Sequence, residues 1–377
     1  MTMLLLALLL FVISLLAVVP PPAAWLWLLS VPVKEWGHLL VILCLPFLWP
    51  GWVHGWPGAL GSVLAGAAAV LFLMPLLRAI PVARRLPADL EAAFGPCRPV
   101  PGTGRRPLRA GALLLGLPSP RLATETVVYA DHGDGRPLKM AITRPAAGDG
   151  PAPVVLVIHG GSWRSGDHTQ LAGLNRYLAA RGYLVAAIDY RLAPGASFPA
   201  PLADVKAAIT YIKERAAGLG ADPERFVLLG RSAGGQLAVV AAYSAHDPAI
   251  RGVISFYGPF DLAWGWDEPG WILPSREILG QYLGGSPEAV PHAYRDASPL
   301  TLVVPGLPPT LMIQGAADCL VSPLHNVKLS ALLRDAGVPH TIVSVPLATH
   351  GSDVNLGGPF GQISTYAVEH FLERVLG

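Results

Sequence analysis

FVLLGRSAGGQLAVVAAY, residues 226–243, is the stretch on which the reading of this chain turns. FVLLG is a near-continuous apolar run closed by glycine, the pattern of a strand buried on both faces. GQLAVVAAY, residues 235–243, reads as a helix. Between them lies Gly230-Arg231-Ser232-Ala233-Gly234, a G-x-S-x-G at a strand-to-helix turn. Such a turn is too tight for bulky side chains at 230 and 234, and it lifts the serine hydroxyl out of the sheet. Ser232 is therefore the expected nucleophile.

Outward from this stretch, short apolar runs alternate with helical ones, the signature of an α/β domain. The runs are VVLVIH (154–159), YLVAAIDY (183–190), GVISFY (252–257), TLMIQG (310–315) and TIVSVP (341–346). Helices are expected at about 168–181, 199–217, 233–244, 323–336 and 362–376. ETVVYA and PLKMAITRP flank Asp134-Gly135, a hairpin-turn dipeptide, so the domain is expected to open with antiparallel strands. In a parallel sheet the reactive groups gather in loops at the carboxyl ends of strands.

A serine hydroxyl needs a base, and the base needs a group to orient it. Asp318 follows TLMIQG and His350 follows TIVSVP, so both are expected at the strand ends where Ser232 lies. Asp261, after GVISFY, and Asp353, three residues past His350, are the rival acids; Asp353 reads as a loop charge on the surface. His246, His292, His325, His340 and His370 are expected at the surface. Donors for an oxyanion are expected from His159-Gly160-Gly161-Ser162-Trp163, whose glycines let backbone N–H groups face a ligand, and from the amide of Ala233. His159 is expected to fix that loop by hydrogen bonding.

With HGGSW (159–163), DYRLAP (189–194), GRSAGG (230–235), the Asp318 loop and His350-Gly351 assembled, the region from about Pro151 onward resembles the α/β-hydrolase superfamily. Within it the likeness is to carboxylesterases related to hormone-sensitive lipase and to the feruloyl-esterase-like group. The resemblance implies a mostly parallel twisted sheet with helices on both faces. It also implies cleavage of carboxylic esters through an acyl-enzyme, without metal or cofactor. Ser162 stands where hormone-sensitive-lipase relatives usually carry a third glycine, so HGGSW looks closer to the esterase and formamidase branch. By analogy Gly161 and Ser162 supply loop amides, Gly160 shapes the approach, and Asp189, Tyr190, Arg191 and Asp204 form a structural network. An amidase resembling kynurenine formamidase would use the same triad, and a non-catalytic hydrolase-like binding protein is a third reading.

Gly258 to Pro308 is long for a strand-to-strand connection and carries Trp264, Trp266, Trp271 and Tyr282. A long connection near an active site is commonly a lid or binding wall. Trp163, Trp266 and Trp271 are the expected substrate-binding residues, with medium-chain or lipid-like esters as the expected substrates.

The first 80 residues are of another kind. From Met1 to Leu77 the only charged side chains are Lys34 and Glu35. Three membrane crossings are expected, near Met3–Val19, His38–Trp49 and Gly58–Ile80, the last being the clearest by length. Lys34 and the cluster Arg78, Arg84, Arg85, Arg98, Arg105, Arg106 and Arg109 on the inner side would make this a multi-pass protein of the cell membrane with its catalytic domain in the cytoplasm. Residues 81–120, rich in Pro, Gly and Arg, read as a linker and residues 121–377 as the catalytic domain. A chain beginning near residue 110 is accordingly expected to keep its chemistry on soluble esters. A net charge of +2 without a concentrated basic face gives no ground for a nucleic-acid partner. Cys44, Cys97 and Cys319 have neither disulfide nor zinc spacing.

Overall fold

Eight strands form one sheet in the computed structural model, which describes residues 1–377 apart from 50–53, 97–105, 118–120, 134, 146–149, 269 and 271. Cys97, Arg98, Arg105, Asp134 and Trp271 thus lie outside the described residues. The strands are β1 (Thr124–Ala130), β2 (Leu138–Thr143), β3 (Ala152–Ile158), β4 (Leu184–Ile188), β5 (Ala221–Arg231), β6 (Ile250–Phe256), β7 (Thr310–Gly315) and β8 (His340–Val345). Their order across the sheet is β1-β2-β4-β3-β5-β6-β7-β8. The β1/β2 and β2/β4 pairs are antiparallel and all others parallel. This is the mixed, mostly parallel sheet of an α/β-hydrolase.

The strands buried on both faces are those with continuous apolar runs, since alternation would waste one face. In β3, Val154, Leu156 and Ile158 enter one core, while Val155 and Val157 enter the other. β5, at the centre, does the same with Leu228 on one side and Val227 and Leu229 on the other.

Ahead of the sheet come the helices α1 (Thr2–Leu15), α2 (Ala24–Leu40) and α3 (Gly55–Phe94) and the short α4 (Ala110–Leu115). Two helical stretches, Ala24–Leu43 and Gly55–Phe94, are long and apolar enough to cross a membrane by length and composition. α1 has 14 residues, short of the roughly 17 needed. The expected three crossings are thus reduced to two candidates, and the first of them, Ala24–Leu43, starts earlier than the crossing expected at His38–Trp49. Lys34 is not a loop charge: it is buried in α2 and its ammonium donates to the Ala17 carbonyl at 3.2 Å, so it carries no weight as an inside charge.

α3 also runs past residue 80, through Pro81 and Pro87, into the segment expected to be a linker. Ala79, Val82, Ala83, Leu86, Leu90 and Phe94 recur at helical spacing and join the core on the Val155/Val227 face of the sheet. Burying Val82, Leu86, Leu90 and Phe94, at about 1.5–3 kcal/mol each, matches or exceeds the roughly 3 kcal/mol cost of each interior proline.

The crossover helices are α5 (Ala172–Ala179), α6 (Ala200–Glu214), the one-turn α7 (Ala216–Leu219) and α8 (Ala233–Ala245). The long connection between β6 and β7 folds into α9 (Leu262–Asp267), α10 (Ser275–Leu283) and α11 (Pro291–Ala297). α12 (Leu324–Asp335) and α13 (Pro359–Leu376) complete the chain.

Candidate active site

The turn at Ser232 shows why its neighbours must be glycine. A Cβ on Gly230 would sit 2.0 Å from the Gly234 carbonyl oxygen, and one on Gly234 would sit 2.3 Å from the carbonyl oxygens of Ile158 and His159. β3 and the turn can therefore pack only with bare backbone. Ser232 itself has φ +53° and ψ −120°, a conformation that costs a non-glycine residue about 1–3 kcal/mol. Its amide donates to the Phe256 carbonyl at 2.8 Å, which ties the turn to β6.

Asp318 and His350 come together at the ends of β7 and β8, with His350 Nδ1 2.8 Å from Asp318 Oδ2. The carboxylate is held by its whole loop. Oδ1 accepts from the amides of Leu320 and Val321 at 2.9 and 3.0 Å, and Oδ2 accepts from Gln314 Nε2 at 2.9 Å. Ser232, Asp318 and His350 line one cavity of about 900 Å³.

Asp261 is elsewhere. Its side chain caps α9 by accepting from the Trp264 amide at 3.0 Å, and it pairs with Lys328 at 2.9 Å. Asp353 is not a surface charge but is buried, 2.6 Å from Arg231 Nε, and it accepts from the Tyr257 hydroxyl at 2.5 Å. Tyr257 in turn lies against the His350 ring, with centroids 4.2 Å apart. Burial raises the Tyr257 phenol well above its ordinary pKa, so it remains a donor to Asp353. Sequence reasoning missed this set; the only signal was an arginine inside the G-x-S-x-G with an acid shortly after the histidine.

Around the expected oxyanion site the loop is sharply folded. Gly161 has φ +123°, and a Cβ there would lie 2.0 Å from the Ser165 carbonyl oxygen. Ser162 and Trp163 follow at φ +55° and +57°. The Gly160 amide is committed to Gln170 Oε1 at 2.8 Å, which takes it out of the set of donors. A Cβ on Gly160 would stand 3.3 Å from that of Ser232, so its contribution is close approach. Ala233 is the first residue of α8, where an amide has no acceptor within the helix.

His159 holds this loop. Its Nδ1 bonds the Gly160 carbonyl at 2.7 Å, its ring stacks on Tyr190 at 4.2 Å, and burial lowers its pKa, keeping it neutral. Tyr190 donates to the His159 carbonyl at 3.2 Å, Arg191 Nε bonds both oxygens of the buried Asp204, and Asp189 accepts from the amide of His168.

The three expected substrate-binding tryptophans fare differently. Trp163 touches the cavity, but it is buried, stacked on Tyr282 at 4.2 Å, and its indole N–H is spent on Gln236 Oε1 at 3.0 Å. Trp266 is not among the lining residues and packs edge-on against Tyr294, while Trp264, two residues earlier, lines the cavity. Trp271 lies outside the described residues. His325 and His370 are buried instead of exposed; His325 is in the cavity wall, and burial lowers its pKa to about 4.

One wall had no counterpart in the sequence reading. Trp27, Leu28, Val31, Pro32 and Trp36 of α2 line the cavity, and Trp27 Nε1 donates to the His350 carbonyl at 3.1 Å. On the same helix, Glu35 faces the backbone amides of Phe360 and Gly361 at the start of α13. Nothing local in the sequence distinguishes an apolar helix facing lipid from one facing a pocket.

Comparison with known proteins bears on the fold and the class of reaction. The family profile BD-FAE matches residues 140–333. The probable carboxylic ester hydrolase LipM of Mycobacterium tuberculosis is 31% identical over 342 residues, which cover 83% of this chain and 78% of that protein. Esterase LipQ of the same organism is 30% identical over 296 residues, covering 71% and 69%. Among solved structures, a bacterial heroin esterase superimposes with a TM-score of 0.58 at 27% identity, covering 71% of this chain and 88% of its own. The chain belongs to the BD-FAE family and is a carboxylic ester hydrolase of the α/β-hydrolase fold.

Proposed function

We propose that the ester is cleaved through an acyl-enzyme on Ser232, with His350 as general base and acid and Asp318 as the group that orients it. The observation that carries this reading is the 2.8 Å contact of His350 Nδ1 with Asp318 Oδ2 on the wall of the cavity that Ser232 also lines. With Nδ1–H donated to the carboxylate, Nε2 is the basic nitrogen. Ser232 Oγ attacks the ester carbonyl and passes its proton to His350 Nε2. The amides of Gly161, Ser162 and Ala233 are the donors for the developing oxyanion. The imidazolium then protonates the leaving alcohol. Water, deprotonated by His350, next attacks the acyl-Ser232 carbonyl, releasing the acid and the free serine.

The reaction runs at a membrane. The apolar segment Ala24–Leu43 and the part of Gly55–Phe94 that precedes Ala79 anchor the chain in this reading, and the exposed arginines Arg78, Arg84 and Arg85 on α3 favour a cytoplasmic side for the catalytic domain by the positive-inside rule. A fluorophosphonate probe tests the central claim: it is expected to label the wild type and not Ser232→Ala, and equal labelling of both would remove it.

A further inference from the structure

We propose that the substrate is a long-chain acyl ester resident in the bilayer, and that its acyl chain reaches Ser232 along α2. This rests on the acyl-enzyme reading above. The cavity, at about 900 Å³, is near the top of the roughly 300–1,000 Å³ range of ligand pockets and far larger than an acetyl group needs. Its α2 wall is apolar, and that wall belongs to a helical stretch apolar enough to lie in a membrane.

Leu28 fixes where the cavity opens. It belongs to the lining and is yet 60% exposed, and its neighbours Trp25 and Leu29 are 63% and 50% exposed. The mouth therefore lies at an apolar surface, and α1 exposes further apolar side chains such as Leu5 and Leu9. Apolar surface of this extent marks a membrane or partner contact when it is found on a folded chain. Val354, 44% exposed and also in the lining, places a second apolar residue at the rim, four residues past His350. A chain entering from the hydrocarbon passes Leu28 and meets Trp27, whose indole holds the His350 carbonyl. The ester carbonyl then stops where the acyl chain's apolar path ends, at Ser232.

The test uses the full chain reconstituted in phosphatidylcholine vesicles and p-nitrophenyl esters from acetyl to tetradecanoyl. kcat/KM is expected to rise roughly three- to fourfold per methylene over the part of the chain that the wall covers. Leu28→Arg is expected to lower the tetradecanoyl-to-acetyl ratio of kcat/KM at least tenfold. Val63→Arg, with the same charge on an exposed apolar position of α3 outside the lining, is expected to leave that ratio as in the wild type. A wild type that prefers acetyl, or a Val63→Arg ratio that falls as far as that of Leu28→Arg, overturns the proposal. If fluorophosphonate labelling is intact in that event, the acyl-enzyme reading survives alone. If neither labelling nor hydrolysis of any ester occurs, both fall.

Discussion

Trp27 and His350, 323 residues apart in the chain, are joined by a hydrogen bond from the indole N–H to the histidine carbonyl at 3.1 Å. The rings also meet edge to face, with centroids 6.3 Å apart. A helix of the apolar N-terminal region is thereby tied to the backbone that carries the proposed base. Trp27→Phe keeps a ring and loses the donor, a change of about 0.5–1.5 kcal/mol for a neutral hydrogen bond. kcat on a short ester is expected to drop roughly two- to tenfold, with a change in the acid limb of the pH profile of kcat/KM. A variant with unaltered kcat and pH profile would show that the contact only holds α2 in place.

The carboxylate partner of His350 is decided by comparing two variants. Asp318→Asn is expected to reduce kcat by on the order of 10⁴-fold, the loss seen when a serine-hydrolase acid becomes an amide. Asp261→Asn, at a helix cap paired with Lys328, is expected to cost stability and little turnover. The reverse outcome would move the acid role to Asp261.

Arg231, Asp353 and Tyr257 make a buried set directly behind the histidine loop. Asp353→Asn leaves the Arg231 guanidinium buried without its counter-charge, so a loss of about 3–5 kcal/mol is expected. The double variant Arg231→Met, Asp353→Leu is expected to be more stable than that single one, because no charge is left uncompensated. Thermal unfolding of the three proteins decides this; a double variant as unstable as the single would mean that packing, not charge, sets the loss.

The parts of the site legible in the sequence are those whose requirements are local. Gly230 and Gly234 are dictated by backbone collisions within the turn and with β3, and Asp318 and His350 each follow a strand that is recognisable on its own. What was illegible depends on distant partners. Asp353 looks like any loop acid until Arg231, 122 residues away, is placed beside it. The α2 wall reads as lipid-facing because a pocket and a bilayer select the same side chains. Trp264 and Trp266 are separated by two residues of a helix, about 200° of rotation, so only one can face the cavity, and periodicity does not say which.

Acid sensitivity follows from His325. In the fold it is buried in the cavity wall, its Nδ1 accepting from the amides of Phe260 and Asp261 at 3.2 Å, and burial lowers its pKa from 6.5 to about 4. The unfolded chain therefore binds the proton first as pH falls. The neutral ring's contribution is complete above pH 6.5 and is lost progressively down to about pH 4, up to roughly 3 kcal/mol in all. His325→Gln is expected to lower stability at pH 7.5 and to flatten its fall between pH 6.5 and 4.5. Parallel unfolding curves for the two proteins across that window would assign the acid sensitivity to other groups.

The second half of α3 sets where the catalytic unit begins. Leu90 is fully buried in the core that also holds Val155, Val227 and Phe371, so Leu90→Ala is expected to cost about 2–5 kcal/mol and to lower Tm by on the order of 10 °C. Arg84→Ala, on the exposed face of the same helix, is expected to leave Tm unchanged. A chain starting near residue 110 lacks Ala79, Val82, Ala83, Leu86, Leu90 and Phe94 from one face of its sheet, as well as the α2 wall of the cavity. It is expected to be poorly soluble and inactive even on acetyl esters, where the linker reading had it active. A chain starting at residue 55 restores the helix and is expected to recover solubility in detergent and acetyl turnover at about the level of Trp27→Phe, since Trp27 is absent, and not to recover the long-chain preference, since α2 is still missing. Full acetyl turnover and an unchanged Tm in the residue-110 chain would return residues 81–94 to the role of a linker.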